Sequence, residues 1–262
     1  MEQVERRQFL IKYMQHERYE LARVRPEEMP SDETGQKRLL RKLFNLRQPD
    51  SASDEFVRIQ DDYLNEVNHA EPFLGKSDLP QVKPKIYLWQ GDITRLKVDA
   101  IVNPANSRML GCFVPNHGCL DNLIHTKAGI QLRLADQKIM RGKSPEATGK
   151  AEITPGFNLP AKYVIHTVGP VIIHQVTPLR RDLLADSYRS CMQLAEAKGL
   201  HEIAFCCIST GEFRFPHPDA AKIAVKTVTD YLKEHPDAPD VIFAVYSPED
   251  LALYKQELGV DK

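Results

Sequence analysis

Surplus charge of either sign is missing from this sequence: 35 Lys and Arg stand against 36 Asp and Glu, for a formal net charge of -1. That balance excludes a global field that would draw the chain to nucleic acid or an anionic membrane, so partner choice falls to a local site. Cysteine is scarce and odd in number, five in 262 residues, which excludes a disulfide scaffold and predicts a reducing compartment. Glu2, Glu5, Arg6 and Arg7 open the chain without the apolar segment of a signal peptide. No apolar run approaches the roughly 20 residues of a membrane span. The expectation is a cytoplasmic chain with no membrane partner. Internal repeats and low-complexity tracts are also absent. So are the Gly-x-Gly-x-x-Gly run, the Gly-x4-Gly-Lys-Ser/Thr loop, the Gly-x-Ser-x-Gly elbow and the His-Glu-x-x-His helix, which sets aside ordinary nucleotide kinases, serine hydrolases and zincins.

What is present divides near residue 80. Phe9, Leu10, Tyr13 and Met14 recur at helical spacing, as do Leu39, Leu40, Leu43 and Phe44, then Phe56, Ile59, Tyr63, Leu64 and Val67. Pro26, the run Pro30 to Gly35, and the run Pro49 to Ser53 mark the breaks, with Ser53 or Asp54 as cap of the third helix. Pro72, Gly75, Pro80 and Pro84 read as a linker. Residues 1–80 thus form a helical N-terminal extension, either packed on a larger domain or open for docking, and residues 81–262 the main domain.

From Ile86 onward short apolar strands alternate with amphipathic helices. Ile86 to Trp89, Ala100 to Val102, Tyr163 to Val168, Ile203 to Ile208 and Val241 to Tyr246 are the strands; Leu179 to Lys198 and Pro218 to Leu232 are helical. The class is α/β, with helices covering a sheet. Ligands in such folds collect beyond the carboxyl ends of strands. Gly91 to Thr94, Asn103 to Asn106, Gly169 with Pro170, and Ser209 to Gly211 all follow strands and can share one crevice.

Four constellations can carry chemistry. Cys112, His117 and Cys119, with Pro115 and Gly118 to bend the backbone, can converge on one zinc ion and leave a coordination position open; the rival is a loop with two small apolar fillers and a surface histidine. Ser209, Thr210 and Gly211 can turn backbone N–H groups toward a pyrophosphate, and Phe213 and Phe215 can offer a face to a sugar or base. An ordinary strand-to-helix loop looks similar. Asp92, just past a strand, can accept from an exocyclic amine or a ribose hydroxyl, or simply cap a turn with Thr94. Asn103 and Asn106 can orient hydroxyls, and Asp121 can position or deprotonate a water. His125 shares a helical face with Asp121 four residues earlier; it and His166 read as buried, hydrogen-bonded histidines.

In this order the pieces resemble the macrodomain family, and within it the zinc-containing microbial members that act as protein-ADP-ribose hydrolases and are often encoded beside a specialised sirtuin. The resemblance covers residues 80–262. It rests on Gly91-Asp92-Ile93-Thr94, Val98 to Asn106, Asp121 to His125 with Ala128-Gly129, Val164 to Pro170, and Ile208 to Gly211. It implies a three-layer α/β/α fold on a mixed central sheet. Asp92 and Ile93 are then similar to the residues at the adenine, Tyr246 to the residue stacking on it, Asn106 to the residue on the distal ribose, and Asn103 to a brace for the loop. Ser209, Thr210, Gly211 and Glu212 resemble the pyrophosphate loop, and Phe213 the aromatic near the distal ribose. Asp121 falls where hydrolytic members carry an aspartate, and with Asn106 is the expected catalytic pair.

The chain departs from the family in one stretch. The consecutive glycines before that aspartate are replaced by Cys112 to Cys119, in a longer segment. Glycines allow close passage of phosphate and ribose, so another device must hold this loop. Zinc on Cys112, His117 and Cys119 is the expected one, either polarising a ribose hydroxyl or water, or shaping the loop alone. The resemblance implies cleavage between ribose C1″ and an acidic side chain of a modified protein, with ADP-ribose released. It also links the subgroup to a lipoyl-carrier protein modified by the sirtuin. The alternatives are a non-catalytic ADP-ribose reader and an O-acetyl-ADP-ribose deacylase; balanced charge gives little support to RNA or poly-ADP-ribose as partner.

Overall fold

A computed structural model describes residues 1–260. Its first helices, α1 (Gln3–Ala22), α2 (Glu33–Leu46) and α3 (Asp54–Asn68), form because apolar residues line one stripe of each and good caps start the last two. Asp32 accepts from the Gly35 N–H and Ser53 Oγ from the Phe56 N–H, each satisfying a donor that a helix start leaves free. Leu10, Ile11, Met14, Leu40, Leu43 and Phe56 are buried together in one cluster, each contributing roughly 1.5–3 kcal/mol by leaving water. Ile130, from far along the chain, belongs to the same cluster and pins the three helices to the main domain. The linker is tied down as well: Leu74 forms a parallel bridge with Leu96.

The main domain is a seven-stranded sheet in the order β1-β2-β7-β6-β3-β5-β4. Its parallel interior comprises β2 (Ile86–Gln90), β7 (Asp240–Val245), β6 (Glu202–Phe205), β3 (Ala100–Ala105) and β5 (Tyr163–Val168). The short β1 (Gln81–Lys83) and β4 (Ala151–Pro155) run antiparallel at the edges. Strands such as Val164–Ile165 and Val241–Phe243 are apolar on both sides because helices cover both faces. The helices α6 (Pro178–Ala197), α7 (His217–Glu234) and α8 (Pro248–Leu258) pack in succession; α4 (Leu120–Ala128) and α5 (Ile130–Met140) pair with one another. The result is the expected α/β/α layering on a mixed sheet, preceded by helices. No helix among the described residues is long and apolar enough to cross a membrane.

Two expectations need adjusting. The strand β3 is longer than its apolar run, because Asn103 and Pro104 continue the ladder opposite His166 and Thr167. Conversely, the apolar run Ile203 to Ile208 leaves the sheet at Phe205, and Cys206 onward forms the loop that the site needs.

Candidate active site

A cleft of about 580 Å³ opens beyond the carboxyl ends of β2, β3, β6 and β7. Asp92, Ile93 and Tyr246 line one end, and Asn106, Cys112, His117, Cys119 and Asp121 the other. Thr210, Gly211, Glu212 and Phe213 lie along the wall between them. Gly169 is behind that wall: a Cβ there would stand 2.0 Å from Ser209 Oγ, so only glycine permits the approach. Ser209 lines the cleft in a left-handed conformation, φ 68°, and its buried hydroxyl has no hydrogen-bond partner among the described residues. Phe215 does not serve as a ligand face: it is 1% exposed, packed in the core, and only Phe213 remains for that role.

Asp92 caps the turn after β2 and also lines the cleft. Oδ1 accepts from the Thr94 N–H at 2.9 Å and from Thr94 Oγ1 at 2.6 Å, while Oδ2 takes Lys127 Nζ at 3.0 Å. Burial disfavours the carboxylate, but Thr94 and Lys127 outweigh it and hold Asp92 below its ordinary range. An ionised acceptor therefore faces the cleft at neutral pH. Tyr246, 79% exposed, stands at the mouth with its ring free to stack.

At the other end the carboxylate of Asp121 is buried beneath the cleft. Its Oδ1 takes Asn103 Nδ2 at 2.8 Å and lies 3.1 Å from His125 Nδ1. Asn103 is fully buried and braces Asp121 and His166 rather than lining the cleft. The other ring nitrogen of His125 is 2.9 Å from Asp136 Oδ2. Burial alone would push His125 down, yet carboxylates on both sides push it up to about 10. Burial likewise opposes the charge on Asp121, but His125 and Asn103 hold its carboxyl below the usual range. His166 goes the other way, pushed down by burial and the charge on His125 against the pull of Asp136. A neutral His166 accepting from Asn103 Nδ2 at 3.1 Å donates from Nε2 to Thr154 Oγ1 at 2.8 Å. Both histidines are the buried, hydrogen-bonded groups expected. Gly111, at φ 76°, lets the preceding loop pass the ring of His125, where a Cβ would stand 2.7 Å from its atoms. The carboxamide of Asn106 is engaged by its own loop, donating to the Gly111 carbonyl at 3.1 Å and accepting from the Arg108 N–H at 3.0 Å.

The donor atoms of Cys112, His117 and Cys119 lie within 4.8 Å of one another. Cys112 Sγ is 3.8 Å from His117 Nδ1, and Cys119 Sγ, at the start of α4, accepts from the Asn122 N–H at 3.4 Å. Burial drives the Cys119 thiol up to about 12, with Cys112 and Asp121 adding to the push. A divalent cation among these donors offsets that penalty by taking the thiolate form. Two sulfurs and one imidazole nitrogen fit zinc. Glu212 is placed beside this cluster, its carboxylate 3.5 Å from His117 Nε2, which is the position of a group that orients a ligating imidazole.

Comparison with known proteins places the chain in a family. The family described as Macro domain matches residues 102–224. A Protein-ADP-ribose hydrolase of Treponema medium is 51% identical over 261 residues, 98% of this chain and 99% of the relative. The chain belongs to the macro domain family. A Protein-ADP-ribose hydrolase of Staphylococcus aureus (strain Mu50 / ATCC 700699) is 50% identical over 239 residues, 89% of this chain and 88% of that one. Among solved structures, the Trypanosoma brucei macrodomain in complex with ADP-ribose superposes with a TM-score of 0.65 at 31% identity, covering 82% of this chain and 94% of the other.

Several groups around the macro domain cleft escape a reading by motif. Lys127, Asp136 and Asn122 sit on helices without a signature, and Cys206, Cys207 and Asp250 line the cleft from positions that look like core or helix cap. Spacing signals only the pair Asp121 and His125, four residues apart on the short α4.

Proposed function

We propose that this chain removes mono-ADP-ribose from acidic side chains of modified proteins and releases ADP-ribose. The observation that carries the reading is the convergence of Asp121, Asn106 and the Cys112–His117–Cys119 donors at one end of a cleft, in a chain alike over its whole length to a relative named protein-ADP-ribose hydrolase. Asp92, Ile93 and Tyr246 bind the adenine end, the backbone from Ser209 to Glu212 the pyrophosphate, and Asn106 and Phe213 the distal ribose.

Hydrolysis adds water to C1″ as the bond from C1″ to the side-chain carboxylate breaks; the carboxylate departs with the bonding pair, and the water gives up a proton. Asp121 accepts from that water through Oδ2, because Oδ1 is committed to Asn103 and His125. Held ionised, it orients the water before the bond breaks and receives the proton afterwards. Asn103 keeps the carboxylate from turning away, which lowers the cost of reaching the reactive geometry. Cys112, His117 and Cys119 would hold a zinc ion, with Glu212 beside His117, and the ion would supply Lewis acidity to the site.

The protein substrate we favour is a lipoyl-carrier protein modified by a linked sirtuin, as the resemblance implies. The test is incubation with that carrier and with an unrelated protein, each mono-ADP-ribosylated on an acidic side chain, followed by detection of free ADP-ribose. Release from both supports hydrolysis with broad choice, and release from the carrier alone supports the named partner. Retention of ADP-ribose on both, despite binding, identifies a reader instead.

A further inference from the structure

The helical extension reaches the loop that carries Cys112, His117 and Cys119. Arg41 on α2 donates from Nη2 to the His117 carbonyl at 2.8 Å and to Asn122 Oδ1 at 2.9 Å, and Nε adds a contact to the same oxygen at 3.2 Å. Asn122 is fully buried, and its Nδ2 passes the hold on to the Val114 carbonyl at 3.1 Å, while its N–H meets Cys119 Sγ. One turn further along α2, buried Asn45 accepts from the Asn116 N–H at 2.8 Å and donates to Thr126 Oγ1 at 3.1 Å. Arg133 closes the frame from α5: it donates to the Leu110 carbonyl at 2.8 Å and to the Phe44 and Asn45 carbonyls at the end of α2, each at 3.1 Å. Its guanidinium lies over Phe113, 4.2 Å from the ring centre.

Backbone groups at positions 110, 114, 116 and 117 are therefore fixed by side chains, two of which, Arg41 and Asn45, come from the extension. A loop bringing three donors to one point must give up the conformations in which they are apart, and a loop held in advance loses less on binding. Arg41 and Asn45 touch no donor atom. They act on the backbone that carries the donors, and Asn116, at φ 55°, is kept in a left-handed conformation directly before His117.

We infer that the extension is part of the metal site: Arg41 and Asn45 are positioning residues that hold the Cys112–Cys119 loop in its ligating arrangement and so set metal affinity. The inference rests on the zinc reading of that loop. Its test is titration of the full chain with Zn²⁺ against a chromophoric chelator, for wild type, Arg41→Ala, Arg41→Lys, Asn45→Ala and Arg6→Ala. Arg6, ion-paired with Glu66 at 2.9 Å, ties α1 to α3 within the same extension and serves as the control for general loosening.

Arg41→Ala and Asn45→Ala are expected to bind zinc about 10-fold to 100-fold more weakly, the range seen when the groups behind metal ligands are removed. Arg41→Lys, which keeps the charge but not the planar fork, recovers only part of the loss, and Arg6→Ala matches wild type. Unchanged affinity in Arg41→Ala overturns the inference, as does an equal loss in Arg6→Ala. If Arg41→Ala fails to fold, Asn45→Ala decides in the same terms. A wild type that binds no zinc removes the metal reading and this inference together, whereas one ion bound equally by wild type and Arg41→Ala removes this inference alone.

Discussion

The two ends of the cleft are held by different parts of the molecule. Where Asp92 and Tyr246 stand, the ligand-facing groups follow directly on β2 and β7, and Lys127 and Thr94 fix the carboxylate within the main domain. Where Asp121 and the sulfur donors stand, α4 begins from Cys119, while the loop before it leans on Arg41 and Asn45. One end is built as a rigid acceptor, suited to recognition. The other gathers a buried carboxylate, its charged histidine, two sulfur donors and an imidazole, and is suited to chemistry. Binding and turnover should therefore separate when the two ends are altered in turn.

The largest effect belongs to the donor end. Cys119→Ala is expected to lose metal and to lower release of ADP-ribose by about a thousandfold, since Lewis-acid assistance is worth several kcal/mol. Elemental analysis alongside a turnover assay checks it. Turnover intact after verified metal loss would confine the metal to a structural role.

Next comes the charged pair beneath that end. His125 is raised to about 10 from an ordinary 6.5, so its contribution is complete below pH 6.5 and disappears as pH rises through 10. Asp121 is lowered, so its contribution is present above the ordinary carboxylate range and disappears as pH falls through its depressed value. Urea midpoints measured against pH should form a plateau from just above the ordinary carboxylate range to about pH 6.5 and decline on both sides. His125→Gln should lose about 3 kcal/mol at pH 7, because Asp121 and Asp136 are left facing a neutral partner, and its alkaline decline through pH 10 should be weaker. A variant with the wild-type midpoint and profile refutes the assignment.

The smallest effect belongs to the recognition end. Asp92→Ala removes a charged acceptor worth about 1.5–3 kcal/mol, so ADP-ribose should bind about 10-fold to 100-fold more weakly in calorimetry. The rate constant at saturation should be unchanged. A fall in that rate as large as the fall in affinity would erase the distinction between the two ends.

Much of this arrangement could be read from residue order alone. The apolar runs of β2, β5 and β7 and the periodicity of α6 and α7 are strong because both faces of the sheet and one stripe of each helix are buried. The edge strands were not legible: β1 is three residues long beside Pro80 and Pro84, and β4, with Glu152, Thr154 and Pro155, is only partly buried. The helix α5 is hidden for another reason, since its buried positions include Arg133 and Asp136, which break the apolar stripe. In the site, Asp92, Asn106, Asp121 and the sulfur donors stand out by residue type and spacing. Asp136, Asn122 and Arg41 do not, because their roles arise from contacts to groups distant in sequence, such as the 81 positions between Arg41 and Asn122. Phe215 shows the reverse error: alternation with Phe213 suggested a second ligand face, but the chain turns between them at Arg214, φ 56°, and sends Phe215 inward.

The division between a binding end and a reacting end is tested most directly by single-turnover release of ADP-ribose from a mono-ADP-ribosylated acidic side chain, with ADP-ribose affinity measured on the same preparation of Asp121→Ala. The rate should fall at least about a hundredfold, the contribution of a positioned acid–base group, while affinity stays within about threefold of wild type, less than one lost hydrogen bond. Equal loss of rate and affinity, or a rate that does not change, contradicts the account.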